Sequence, residues 1–130
     1  MNVEWIALET VLIYHDLQIG EHGGAEGVRD RGGLESALAR PENLAAYGDP
    51  DLFDLAAAYA GGIVRNHPFV DGNKRTAFVV SLSFLNLNGE AVAADEAEAA
   101  VVFLRFAASE LSEEELADWL RRNAAEEERS

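Results

Sequence analysis

Residues 51–88 read DLFDLAAAYAGGIVRNHPFVDGNKRTAFVVSLSFLNLN. Two helical patterns flank a short break. From Asp51 to Asn66, the residues Leu52, Leu55, Ala56, Tyr59 and Ile63 recur at helical spacing. Pro68 ends this helix, because proline lacks a backbone donor and disfavours the α conformation in the residue before it. Asp71-Gly72 suits a tight turn. A second helix is predicted from about Asn73 to Asn88. After Thr76 it is apolar on most sides (Ala77, Phe78, Val79, Val80, Leu82, Phe84, Leu85, Leu87), which predicts a buried, central helix. Asn88-Gly89 is its stop signal. The expected architecture is all-α: a single domain over residues 1–130, built as a helical bundle around one buried central helix.

Upstream, Val3–Leu8 reads as a short strand or an irregular lead-in. Thr10–Glu21 reads as a helix with Val11, Leu12 and Ile19 inward. Gly23–Gly33 holds five glycines and four charged residues and predicts a loop or small hairpin, a flap. Leu34–Arg40 reads as a short helix stopped by Pro41. Downstream, Ala91–Ala93 suggests a brief extended piece. Asp95 is placed to cap a helix running through Ala108. Ser112 and Glu115 form a capping-box pattern opening a last helix that carries Leu116, Trp119 and Leu120. The end, AAEEERS over residues 124–130, reads as a frayed tail.

Composition narrows the function. With no cysteine there is neither a disulfide framework nor a thiolate zinc site. No secretory leader pattern and no bilayer-length apolar run is visible, so the expected location is cytoplasmic, with no membrane partner. A net charge of −14 argues against direct nucleic-acid binding, which needs many cations to displace counterions. The cations themselves are unevenly chosen: Lys74 is the sole lysine, and it sits beside Arg75 in the break between the two strongest helices.

That break, HPFVDGNKRTA over residues 67–77, holds the candidate chemistry. The first N–H groups of the helix opening near Asn73 lack intrahelical partners and, with the helix dipole, form an anion site suited to phosphate. Lys74 and Arg75 lie at the end of the helix where the dipole disfavours cations, which suggests that an anion sits among them. Asp71 supplies one carboxylate, enough for Mg²⁺ when substrate phosphates complete the shell. His67 is able to accept a proton near neutral pH. Each residue also has a plain structural reading. Asp-Gly-Asn is common turn chemistry, His67 suits a helix C-cap, and Phe69 suits a core anchor.

The same segment resembles the Fic/Doc signature, in which His, Phe, Asp or Glu, Gly or Ala, Asn, Gly or Lys, and Arg recur in order. His67, Phe69, Asp71, Gly72, Asn73, Lys74 and Arg75 fill each position. The likeness extends from about Leu8 to Asn123 and resembles the death-on-curing branch in LETVLIYHDLQIGEHGGAEGVRDRGGLESALARP and FLNLNG. It implies the following roles. His67 deprotonates the target hydroxyl. Asp71 holds Mg²⁺. Gly72 and Asn73 cradle phosphate, and Lys74 and Arg75 stabilise the transferred group. In the flap, Arg29 and Arg31 would grip nucleotide or the target segment, which adds as a β-strand. The implied cofactors are ATP and Mg²⁺. The implied activity is phosphorylation of a protein hydroxyl, with elongation factor Tu as target and arrest of translation as outcome.

Two positions separate the branches. AMP-transferring relatives carry Gly where this chain has Lys74 and a second Arg where it has Phe78. These departures favour phosphoryl over nucleotidyl (AMP) transfer. A degenerate copy serving only as a binding or co-repressor module is the third reading, but His67 and Asn73 are both present. The self-restraining helix of many relatives has its nearest match at Ser109–Glu114, where Glu114 stands in place of Gly or Asn. Restraint is therefore expected from a separate antitoxin, Phd-like, folding on binding near Thr10–Glu21 and Leu34–Arg40. His15-Asp16 is too poor in companion ligands for a metal-hydrolase site and reads as a locally bonded polar pair. Trp5 and Trp119 read as packing residues, and Glu113–Glu115 as helix N-terminal charge.

Overall fold

The computed structural model describes residues 2–125. They form six helices: α1 Leu8–His22, α2 Arg31–Tyr47, α3 Leu52–Asn66, α4 Asn73–Leu87, α5 Glu96–Ala107 and α6 Glu113–Arg122. Among the described residues, extended pairing is limited to two isolated antiparallel bridges, Val28 with Phe69 and Val92 with Ala124. The all-α bundle with a small flap is as expected. Among the described residues, no helix is long and apolar enough to cross a membrane.

The bundle does surround one buried helix, but that helix is α3 rather than α4. Every residue from Leu55 to Ile63 is buried. On α4, burial follows one face (Asn73, Thr76, Ala77, Val80, Ser81, Phe84, Leu85), and Leu87 is exposed. The reason is size. Ala56-Ala57-Ala58 and Gly61-Gly62 let neighbours close on α3 from all sides. A Cβ at Gly62 would stand only 2.9 Å from Ala37 Cα, so α2 crosses α3 there at near backbone contact. Glu113, which opens α6, fills the space a Cβ on Gly61 would need.

α2 departs from expectation at both ends. It begins at Arg31, capped by the Asp30 side chain accepting from Gly33 N–H at 2.9 Å, and it runs through Pro41 to Tyr47. Proline in a helix interior forfeits the bond to the carbonyl four residues back. Here that carbonyl belongs to Ala37 and faces Gly62. Pro41 itself is buried, so tertiary packing offsets the lost bond and the helix continues.

The lead-in is irregular. Tyr59 Oη accepts from Ile6 N–H at 3.1 Å, and Asn88 exchanges two hydrogen bonds with the Glu4 backbone. Burial of Tyr59 pushes its phenol pKa up to about 12. Trp5 stacks on Phe84, and the Trp119 indole donates to Glu98. Ala91–Ala93 is extended, as expected, but its partner is the start of the supposed tail. Ala93 N–H donates to Asn123 and Ala125 N–H to Ala91, both at 2.7 Å, so residues 124 and 125 are held rather than frayed. The rest of that tail, 126–130, lies outside the described residues.

Candidate active site

The signature segment links the C-terminus of α3 to the N-terminus of α4. His67 is the C-cap of α3, in left-handed backbone (φ 49°, ψ 52°), with its N–H on Ile63 O at 3.1 Å. Its capping role and its candidate chemical role therefore coexist: the backbone ends the helix while the side chain is exposed. Phe69 is fully buried, as a core anchor should be.

Asn73 organises the turn. Buried, it accepts from Phe69 N–H at 3.0 Å through Oδ1 and donates to Phe69 O at 3.0 Å through Nδ2. Those two bonds fix which end of the amide faces which way. The same Nδ2 lies 3.1 Å from His67 Nδ1. An amide nitrogen only donates, so Nδ1 accepts, and the proton of a neutral His67 ring rests on Nε2. Asn73 thus orients the imidazole, a role that the expected phosphate cradle did not include.

Gly72 is the N-cap of α4, at φ 79° and ψ 17°, a conformation that favours glycine. It offers no side chain to cap the helix, and the first turn carries no acid. Among the described residues, the N–H groups of Asn73, Lys74 and Arg75 have no protein acceptor. Lys74 and Arg75 are exposed. Neither has a carboxylate within ion-pair distance among the described residues, although the chain holds 24 acids against 10 bases. Lys74 stands between two cavities. One, of about 490 Å³, is lined by His67, Asn73, Val64, Leu104 and Arg105; the other, of about 650 Å³, by Arg75, Phe78, Val79, Phe103 and Gln18. Phe78 packs edge-on against Phe103 at 4.6 Å, so an aromatic pair walls the second cavity.

Asp71 is exposed, and its Oδ2 accepts from Ala25 N–H in the flap at 2.8 Å. This leaves its other oxygen for a cation. One free carboxylate oxygen beside an open helix N-terminus is a donor set that would suit Mg²⁺, which keeps most of its waters and takes the rest of its shell from substrate phosphates.

The flap is pinned to this turn. Arg29 N–H donates to Pro68 O at 2.7 Å, and Val70 N–H to Gly27 O at 3.1 Å. The Arg29 guanidinium donates to His67 O at 2.9 and 2.6 Å and to Asn66 O at 3.1 Å, covering the open carbonyls of α3. Arg31 is exposed at the first position of α2, 3.7 Å from Glu35. The two flap arginines are thus not brought together. Arg29 braces the His67 backbone, and Arg31 stands apart.

The expected local pairing of His15 is overturned. His15 is buried on α1 and donates through Nε2 to Asp71 O at 2.8 Å, while its ring stacks on Phe69 at 3.9 Å. Its partners are 56 and 54 positions away in sequence, so no local pattern could reveal them. The Glu113 charge also does more than favour a helix start: it pairs with Arg40 and Arg65, joining α2, α3 and α6.

Comparison with known proteins fits this geometry. A model of the Fic/DOC family matches residues 5–85. The chain belongs to the Fic/Doc family. Protein kinase doc of Escherichia phage P1 is 38% identical over 118 residues, covering 90% of this chain and 93% of that protein. Toxin Doc of Mycolicibacterium smegmatis is 49% identical over 77 residues, 56% of this chain and 58% of that protein. Within the family, the likeness is to Doc-type toxins.

Proposed function

We propose that this Fic/Doc protein is a toxin that transfers the γ-phosphoryl group of Mg-ATP to a hydroxyl of a target protein, and that elongation factor Tu is the target whose modification arrests translation. The observation that carries this reading is the open start of α4. Three free N–H groups, Lys74 and Arg75 face solvent, the two cations with no carboxylate within ion-pair distance among the described residues, beside His67 and the 490 Å³ cavity. Phosphoryl transfer is catalysed mainly by positioning and charge stabilisation, and these groups are suited to both. The name of the phage relative supports the same chemistry.

In this reading Asp71, together with the nucleotide's phosphates, would hold Mg²⁺, whose charge would offset that of the phosphates. Lys74 and Arg75 would stabilise the charge on the transferred group. His67 takes the proton of the target hydroxyl. With Asn73 donating to Nδ1, the resting Nε2 carries a proton, so the base step requires His67 to exchange Asn73 for the hydroxyl at Nδ1 or to change tautomer. In the same reading the flap, which pairs with Phe69 at Val28, would receive the target segment as an added strand.

Restraint by a separate antitoxin belongs to the same reading. Of the two segments expected to meet it, Thr10–Glu21 leaves Ile13 and Leu17 exposed, whereas Leu34, Ala37 and Leu38 of Leu34–Arg40 are buried in the core, and α2 exposes Leu44 and Tyr47 only beyond that segment. The docking helix is accordingly assigned to α1, and its occupant should be basic or apolar to suit the acidic surface.

The test is intact mass of purified elongation factor Tu after incubation with this protein and Mg-ATP, repeated with α- and γ-labelled ATP. A gain of one phosphoryl group, labelled only from the γ position, is expected. Label from the α position would assign nucleotidyl transfer instead, and no modification would leave the target assignment refuted.

A further inference from the structure

His15 lies outside the signature by more than fifty positions, and the mechanism above does not use it. It is nevertheless 2% exposed and touches the signature turn at three points. Its Nε2–H donates to Asp71 O at 2.8 Å. Its ring lies parallel to Phe69, 8° between planes and 3.9 Å between centroids. Its Nε2 and Cδ2 also border Gly72: a Cβ there would meet each at 3.7 Å. A carbonyl only accepts, so Nε2 is the protonated nitrogen.

The Asp71 carbonyl immediately precedes Gly72, whose left-handed conformation opens α4. Fixing that carbonyl fixes the peptide plane between Asp71 and Gly72, and with it the start of α4 and the Asp71 side chain. On the far side of the turn, Asn73 clamps Phe69 and reaches His67. His15 and Asn73 therefore hold the segment from opposite sides, one from α1 and one from α4. Nothing else among the described residues donates to the Asp71 carbonyl.

We infer that His15 is a positioning residue for the phosphate-binding turn, acting through its hydrogen bond to the Asp71 carbonyl rather than through its bulk. The inference rests on the reading of that turn as the catalytic centre. Two variants separate bond from bulk. His15→Phe keeps the ring over Phe69 but removes the donor. His15→Gln keeps an N–H donor near the place of Nε2 but removes the ring.

The experiment measures three quantities on the full-length wild type and both variants. They are thermal midpoint, hydrogen exchange of the two hydrogen-bonded turn amides, Val70 and Thr76, and kcat and KM for ATP in phosphotransfer. In His15→Phe the midpoint should stay within a few degrees, the turn amides should exchange about tenfold faster, and kcat should fall about tenfold, the loss expected when a positioning bond of ~1.4 kcal/mol is removed. His15→Gln should recover most of the protection and of kcat. Unchanged exchange in His15→Phe, or equal losses in both variants, would overturn the inference. The exchange readout needs no catalysis, so a wild type without phosphotransfer would defeat the functional reading while the exchange data still decide the role of His15.

Discussion

The starts of α6 and α4 are built on opposite plans. At α6, Ser112 Oγ accepts from Glu115 N–H and Glu115 Oε1 accepts from Ser112 N–H, both at 3.0 Å. Three glutamates complement the dipole, and Glu113 pairs with two arginines. α3 repeats the plan with Asp51 and Asp54, and Arg121 reaches across from α6 to both carboxylates. At α4 the cap is Gly72, the first turn carries Lys74 and Arg75, and the amides stay open. A side-chain cap is worth about 1 kcal/mol, and an acid in the first turn a further ~0.3–1 kcal/mol. α4 forgoes both. An end that satisfies itself is structural; an end left unsatisfied at such cost is available to a ligand.

The largest expected effect comes from removing the proton acceptor beside the open end. His67→Ala should reduce phosphotransfer by about 10²–10⁴-fold, the usual range for loss of a general base. Expression of this variant should no longer arrest growth, while circular dichroism stays helical. Undiminished toxicity would remove His67 from the site.

Next comes conversion of one plan into the other. Lys74→Glu places an acid where α6 has one. Relief of the unfavourable dipole interaction should raise stability by about 0.3–1 kcal/mol, read as a higher thermal midpoint. Activity should fall by about 10²-fold or more, because a negative charge now faces the phosphate site. The converse change, Ser112→Ala, should cost about 1 kcal/mol in stability and leave phosphotransfer within twofold of wild type. If Lys74→Glu lowered stability while sparing activity, the contrast between the two helix starts would have no functional meaning.

What the sequence made legible follows from how local each interaction is. The signature is contiguous, so His67, Asp71, Gly72, Asn73, Lys74 and Arg75 were found together. α3 and α4 were found because their periodicity is long. The start of α2 was hidden by Gly32-Gly33, which read as loop, and its end by Pro41, a strong local signal to stop that is outweighed only by packing against Gly62. The central role of α3 was hidden because hydropathy weighs Ala and Gly lightly, although their small size is what lets other helices surround it. The long-range bond of His15 and the bond from Asn73 to His67 were hidden for another reason. Each is a hydrogen bond whose partner is fixed only by the tertiary turn.

A smaller effect should appear on acidification. Burial alone would raise the Asp51 carboxyl, but the hydrogen bond from Arg121 and the capping bonds with Asp54 outweigh it and hold the group below its ordinary 3.8. Glu115 is held below 4.5 by the hydrogen bond from the Ser112 N–H and then by the Ser112 hydroxyl. A carboxylate with a depressed folded-state pKa stabilises the fold above its unfolded value, and that contribution is lost as pH falls through the folded value. Both groups therefore act in full at neutral pH and fade below about pH 4. Both are also partly or wholly in solvent, so each contribution is modest. The expected result is local: between pH 6 and pH 3, amides at the starts of α3 and α6 should lose protection relative to the rest of their own helices. In the first turn of α4, the Thr76 amide, bonded to Gly72 O and with no carboxylate cap to lose, should keep its protection. Arg121→Ala should flatten the acid response of α3 and leave α6 unchanged, because Arg121 bonds Asp51 and Asp54 while the Ser112–Glu115 box stands alone. Uniform loss of protection across all three helix starts would mean that global unfolding, rather than their separate capping chemistry, governs the acid limb.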